Sequence, residues 1–439
     1  VVFVFGVNSG MGVGGEAIDW GNPIHRVSDE NAPCSSGDLV KRAVERLFES
    51  FWGIRMVTGM KHVRTNPMFQ FLIVLTIASS IGLQGWRTLF NNFAVEIAHL
   101  EGYHIGMIQS VREIPGFLAL LVIFVLLVVK EHRLSALSII CLGIGVAATG
   151  FFPSYSGLLL TTVIMSFGFH YYETTNQSLT LQYFEKTTSP WVFGIQRSLG
   201  AVSNIVVGVM ILLFTSFLSY LQMYVLVGGI VTALGVWGLT RHPADETRPY
   251  QRKKMFLKKA YWLYYFLTFM AGARRQIFVA FAVFLLVKKF SYSVQEITIL
   301  FVVNNAINYF LSPQIGRAVI KFGERKVLST EYLALLFVFT GYALATEKWL
   351  VAVLYVLDHI FFNFSFAIRT YFQKIGDPQD VASTMAVGFT INHIAAVVIP
   401  AAGGMLWMVD YRIPFIAGAG LALISLIMVQ FINIPNLSE

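Results

Sequence analysis

Residues 241–260, RHPADETRPYQRKKMFLKKA, form a polar, basic break between two long apolar stretches. The break holds Arg241, Arg248, Arg252, Lys253, Lys254, Lys258 and Lys259, and Pro243 and Pro249 discourage a helix from running through it. On either side the sequence reads as one membrane-length apolar segment after another. Basic residues beside membrane helices are held on the cytoplasmic side, so this stretch orients everything else. It predicts two helical bundles, 60–240 and 261–439, joined by a cytoplasmic linker at 241–260.

Composition agrees. The 439 residues are 56% hydrophobic and only 13% charged, with mean hydropathy +0.65, whereas soluble domains carry about 25% charged residues. A net charge of +8 therefore does not imply nucleic acid. The basic residues fall in loops, where they face an anionic inner leaflet. The expected partners are the lipid bilayer, a small-molecule solute and protons, with the chain a monomer. Cys34 and Cys141 offer neither a disulfide framework nor a cysteine-based metal site.

Residues 1–59 read differently, with Met60 standing just before the first apolar segment. They are expected to be an N-terminal extension from read-through, or disordered. Gly10, Gly12 and Gly15 satisfy G-x-G-x-x-G after VVFVF, but no βαβ unit follows, so a dinucleotide site is not expected. One helical face runs from Leu39 to Phe51 and can lie flat on a membrane.

From Met68 the sequence predicts twelve spans of the length a bilayer requires. They lie near 68–97, 105–129, 134–152, 157–183, 190–215, 217–240, 261–288, 293–320, 327–346, 348–373, 380–408 and 412–434. Loops on the linker's side then carry sixteen Lys and Arg, against four on the other side (Lys288, Lys289, Lys348 and Arg412). That asymmetry puts both termini in the cytoplasm.

The two halves also resemble each other. A shift of 188 residues pairs Arg87, Phe90, Phe93, Ala94 and Val95 with Arg275, Phe278, Phe281, Ala282 and Val283. The same shift pairs Tyr183-Phe184 with Tyr371-Phe372, and Gly200 and Asn204 with Gly388 and Asn392. It breaks around spans 2 and 8. A parallel repeat of six plus six helices is the expected architecture, an all-α membrane protein.

Between spans 8 and 9, Gly316-Arg-Ala-Val-Ile-Lys321-Phe-Gly323-Glu-Arg325-Lys326 resembles the cytoplasmic loop motif of the major facilitator superfamily. Ile320 stands where that motif has its acid, and Glu324 where it often has Arg. Topology, linker and repeat extend the resemblance over residues 61–439. It implies a gating loop at Gly316, Lys321, Gly323 and Arg325, and a cavity lined by helices 1, 4, 7 and 10, which carry Arg87, Glu173, Arg275 and Asp358.

Ionisable groups at bilayer depth are expensive unless paired or hydrated, so each marks a candidate functional position. The substrate-binding candidates are Arg87, Arg274, Arg275 and His393, joined by the repeat pair Asn204 and Asn392. A guanidinium fork matches carboxylate or phosphate, so the arginines point to an anionic or polar substrate. Adjacent residues lie about 100° apart, so only one of Arg274 and Arg275 need face the cavity. Glu173, His170, Asp358 and His359 are the candidates for exchanging a proton. Arg112 and Glu113 read as a structural ion pair locking spans 1 and 2, and His393 reads equally well as a hydrogen-bonded core residue. Pro115-Gly116, Pro313, and Pro400 with Gly403-Gly404 are expected to kink spans 2, 8 and 11.

The sequence thus predicts a secondary active transporter of the inner membrane, not an enzyme, working by alternating access and coupled to protons, with no cofactor and no resident metal. No G-x-x-x-x-G-K-[ST] loop occurs that would suggest ATP drive. Three readings remain beside it: proton-driven efflux of amphipathic or cationic compounds, a membrane metal-binding protein using His170 and Glu173 with His359 or His393, and a non-transporting receptor on a transporter fold.

Overall fold

A computed structural model describes residues 61–434 apart from 101, 246–250, 252–256 and 293. All of these belong to one compact unit, Thr58–Glu439. The G-x-G-x-x-G motif, the amphipathic face at 39–51, and Arg248, Pro249, Arg252, Lys253 and Lys254 of the linker lie outside the described residues.

The described chain crosses twelve times, all in helices. In the first half these are α1 (Pro67–Glu96), α2 (102–125), α3 (Glu131–Thr149), α4 (Tyr155–Tyr183), α5 (Ser189–Phe214) and α6 (Tyr220–Leu239). The second half has α7 (262–288), α8 (Val294–Phe322), α9 (Glu324–Leu344), α10 (Lys348–Ile375), α11 (Val381–Val409) and α12 (Arg412–Met428). Eight helices among the described residues are long and apolar enough to cross a membrane. The chain is a multi-pass membrane protein. Local chemistry sets several of the starts. Pro67 follows Asn66, whose side chain accepts from the Met68 N–H at 2.8 Å. Ser219 and Gln222 close a capping box on α6.

The repeat is visible in the packing. α1 packs on α5 and α6, and α3 on α4 and α6; six helices later α7 packs on α11 and α12, and α9 on α10 and α12. On the linker side Lys186 Nζ donates to the Lys374 carbonyl at 3.2 Å across a separation of 188 residues. Two equivalent positions of the repeat therefore touch, which places them on its pseudo-two-fold axis. The described linker residues tie to both halves, Asp245 N–H to Tyr183 Oη (3.1 Å) and Gln251 to the Pro378 carbonyl (2.8 Å). Lys258 and Tyr261 both donate to the buried Asp380. The lysines expected on the opposite face also have local partners: Lys289 reaches the Ala345 carbonyl (3.2 Å), and Lys348 pairs with Glu296 (2.7 Å).

Of the expected kinks only the one in α2 interrupts a helix. There Glu113 separates Gly102–Arg112 from Ile114–Phe117, and a 3-10 turn, Leu118–Leu121, precedes Val122–Val125. α8 and α11 run on through Pro313 and Pro400. A proline lacks the N–H that would bond the carbonyl four residues back. For Pro313 that is the Tyr309 carbonyl, and Ser198 Oγ of α5 donates to it at 2.6 Å. α7 carries an irregularity that the sequence reading missed, a π-turn at Phe278–Ala282 just after Arg275.

The halves meet along two seams. Along α5–α8, an added Cβ at Gly316 would stand 2.5 Å from the Pro190 carbonyl oxygen, and one at Gly194 would stand 2.6 Å from that of Ser312. Ser198–Tyr309 and Asn204–Asn305 (3.3 Å) continue this line toward mid-helix. Along α2–α11, the Leu120 N–H donates to Thr390 Oγ1 at 2.9 Å, and Val122, Ile123 and Leu126 pack against Ala382 and Ala386. Gln373 closes the linker side, donating to the carbonyls of Leu181 and Phe184 (2.7 Å each) and accepting from Ser189. Toward the opposite face the packing gives way to exposed side chains, Val206, Val209 and Leu212 on α5 and Ile299 and Val302 on α8. The contacts between the halves thus gather at the linker side and mid-helix.

Candidate functional site

Inside the first half, α1, α4 and α5 enclose a cavity of about 140 Å³. Every lining residue except Leu83 and Phe169 brings a polar atom: Thr76, Ser79, Ser80, Gln84, Arg87, Tyr172, Glu173, Asn176 and Asn204. Tyr172 Oη lies 2.9 Å from Thr76 Oγ1, and Gln177 Nε2 donates to Glu173 at 2.9 Å. α4 can carry so many polar groups, with Thr174 to Thr180 all buried and all polar but Leu179, because its neighbours are protein rather than lipid.

Arg87 and Glu173 face this cavity from α1 and α4. From the second half, half-buried Arg275 lies within electrostatic range of Glu113, Glu173, Arg112 and Arg369. Arg197 of α5 and Arg369 of α10 lie nearer the seal, each within range of Glu173. Arg197 stands 5.8 Å from the Phe362 ring, and Arg369 the same distance from Phe193. Among the described residues, Arg87, Arg197, Arg275 and Arg369 have no carboxylate within ion-pair distance. The arginines of the spans that do are Arg112, with Glu113 at 2.7 Å, and Arg274, with Glu331 at 3.6 Å. Of the four without one, Arg87 lines the cavity, and the other three lie within electrostatic range of its Glu173.

Adjacent arginines part company on α7. Arg274 is fully buried between α9 and α12, 4.3 Å over the Tyr332 ring, donating to Ser425 and facing Glu331. It belongs to the framework of the second half. Asp358 is also buried there, within range of Arg274 and beside Tyr342 and Tyr355. His359 bonds Asn308 at 2.7 Å, and Asn363 donates to both Asn308 and the His359 carbonyl. Asn392 donates to the Thr268 carbonyl (3.3 Å) at the α7–α11 crossing, where Gly272 permits close approach.

A second group forms at the α2–α11 seam. Glu113 binds Arg112 through Oε1, its Oε2 lies 3.9 Å from His393 Nε2, and the His170 and His393 rings meet edge-on at 5.0 Å. Although His170 and Glu173 lie one turn apart, the structure gives them different neighbours. His170 joins the seam, and Glu173 joins the cavity.

The Major Facilitator Superfamily model matches residues 264–436. That match covers the second half of the chain. No curated protein sequence matches it. Among solved structures it is similar to the human organic anion transporter MFSD10 (TETRAN), with TM-score 0.69, 10% identity, and 83% of this chain and 99% of that chain covered. It is similar to the same degree to the E. coli fucose:proton symporter FucP, with TM-score 0.69, 12% identity and 83% and 98% coverage. A bacterial homologue of the iron transporter ferroportin, in its outward-facing state, gives TM-score 0.64, 12% identity and 83% and 98% coverage.

Within the matched half the loop motif is divided between two roles. Gly316 lies on the α5–α8 seam, whereas Arg325 binds Gln430 of its own half at 3.2 Å, and Gly323 supplies the positive φ (79°) that ends α8. Lys321 lies over the Phe322 ring at 5.2 Å. Glu324, the departure from the motif, is buried and pairs with Lys374 at 2.8 Å beside the pseudo-two-fold axis. The sequence reading missed Arg369 and the closing role of Gln373. Shape alone distinguishes them from the other polar residues near a helix end.

Proposed function

We propose that this chain is a secondary transporter that carries a small organic or inorganic anion by alternating access, coupled to protons. The superfamily fold supports secondary transport, and a transporter rather than an enzyme. The observation that carries the substrate class is Arg87 in the wall of one polar cavity, with Arg197, Arg275 and Arg369 within electrostatic range of its Glu173 and none of the four in an ion pair. Two similar structures are named as an organic anion transporter and a sugar:proton symporter, which accords with both parts of the reading. With its basic linker in the cytoplasm, the linker side closed by Gln373 faces inward, in the inner membrane. Glu173 offsets one of the arginine charges when the cavity holds no anion. An arriving anion brings a second negative charge, and a proton on Glu173 restores the balance. Drug-type efflux of cations would need the carboxylate to dominate, and here the arginines outnumber it.

The test is uptake by proteoliposomes of a panel of small anions and lipophilic cations. Arg275→Gln should abolish anion uptake while leaving the fold intact. Arg274→Leu should instead strand Glu331 in the interior and cost about 3–5 kcal/mol of stability. Glu173→Gln should keep anion exchange but lose accumulation driven by a pH gradient. Cation uptake indifferent to Arg275→Gln would sink the anion reading.

A further inference from the structure

The Glu113, His170 and His393 group is not used by the transport reading. Its three residues come from α2, α4 and α11, so it spans the two halves, and their ligand-capable atoms all lie within 4.8 Å of one another. His393 Nδ1 lies 2.8 Å from its own helix's Phe389 carbonyl. That carbonyl can only accept, so Nδ1 carries the proton and Nε2 presents a lone pair. The lone pair faces Glu113 Oε2 across 3.9 Å, too far for a hydrogen bond between them. Two acceptors aimed at each other call for a positive charge in between. His170 Nδ1 is buried without a hydrogen-bond partner beside them.

Gly116 makes the arrangement possible. A Cβ there would stand 2.4 Å from His393 Cδ2, 2.6 Å from its Nε2 and 3.0 Å from His170 Cε1. Phe389 stacks on His393 at 4.4 Å, and Phe169 packs on His170 at 5.0 Å, so each imidazole has an aromatic neighbour. Arg112 holds the other oxygen of Glu113, as outer partners of ligating carboxylates do.

We propose that Glu113, His170 and His393 form a binding site for a zinc-class divalent cation that clasps the two halves in the sealed state. Two imidazoles and a carboxylate suit zinc and its first-row neighbours rather than magnesium or calcium. Tetrahedral zinc at roughly 2.0–2.2 Å from each ligand holds ligand atoms about 3.4 Å apart, which modest ring rotations supply, and three protein ligands leave a fourth position. The charges of Arg112 and Arg275, both within range of His170, oppose the cation and limit its affinity.

The test is equilibrium dialysis of the detergent-purified full chain, free of any histidine tag, against zinc ion alone at neutral pH. The expected result is about one bound zinc, with affinity falling at least tenfold in His170→Ala, His393→Ala and Gly116→Ala, and unchanged in the exposed-loop variant His99→Ala. Zinc should raise the melting temperature of the wild type and of His99→Ala alone. His170→Gln and His393→Gln replace any alanine variant that does not elute as a folded monodisperse species. No zinc bound by the wild type, or binding kept within threefold in both histidine variants, overturns the proposal.

Discussion

Along α5–α8 the two halves meet through glycines, backbone carbonyls and neutral side chains, whereas along α2–α11 they meet through two imidazoles, a carboxylate and Gly116. The seams are counterparts in the repeat, and each keeps one hydroxyl that satisfies a backbone group in a neighbouring helix. Ser198 serves the Tyr309 carbonyl, and Thr390 serves the Leu120 N–H. What differs is the partner that a glycine meets. At Gly316 and Gly194 it is backbone, which cannot move alone. At Gly116 it is side-chain rings, which can. One seam is therefore mechanical, and the other is available for chemistry.

The largest effect should come from filling the mechanical seam. Gly316→Val drives a methyl against the Pro190 backbone and should disfavour the sealed state by about 1–3 kcal/mol, roughly 5- to 150-fold in the balance of states. A cysteine placed at buried Ser189 should then react with a maleimide correspondingly faster; an unchanged rate would show that the seam is not the seal. Gly116→Ala should leave that rate nearly unaltered, because the rings can turn aside. Next comes Gln373→Leu, which strips the Leu181 and Phe184 carbonyls of their donor at a cost of about 1–3 kcal/mol, read as a lowered denaturation midpoint. The smallest and most discriminating pair is Ser198→Ala and Thr390→Val. Each should cost about 1 kcal/mol, and a large inequality between them would break the equivalence of the two seams.

Much of the fold was legible because apolar length and loop charge are local properties of the chain. The span read at 68–97 is helix Pro67–Glu96, and the one at 157–183 is Tyr155–Tyr183. The shift of 188 reappears as the Lys186–Lys374 contact. The site was legible only in part, because facing depends on helix rotation. Arg274 and Arg275 differ by one step along α7, and only the packing of Glu331 and Ser425 decides which is framework. Glu113 was read as paired with Arg112 to lock spans 1 and 2; the two touch as neighbours within α2, and the second oxygen of Glu113 looks at a residue 280 positions away. No periodicity carries that information.

Arg274 also has a consequence for biogenesis. Each arginine at the centre of a helix adds roughly 2.5–3.5 kcal/mol to the cost of insertion into lipid, and α7 has two side by side. The groups that receive Arg274 are made later, Glu331 on α9 and Ser425 on α12, the latter 151 residues downstream. When α7 leaves the ribosome Arg275 can already face Glu113 and Glu173, but Arg274 has nothing to neutralise it. The helix must therefore wait at the edge of the translocon, or sit shallowly, until α9 brings Glu331. A chain truncated before Glu324 should leave α7 accessible to water-soluble alkylating reagents, even though every residue of α7 itself is intact.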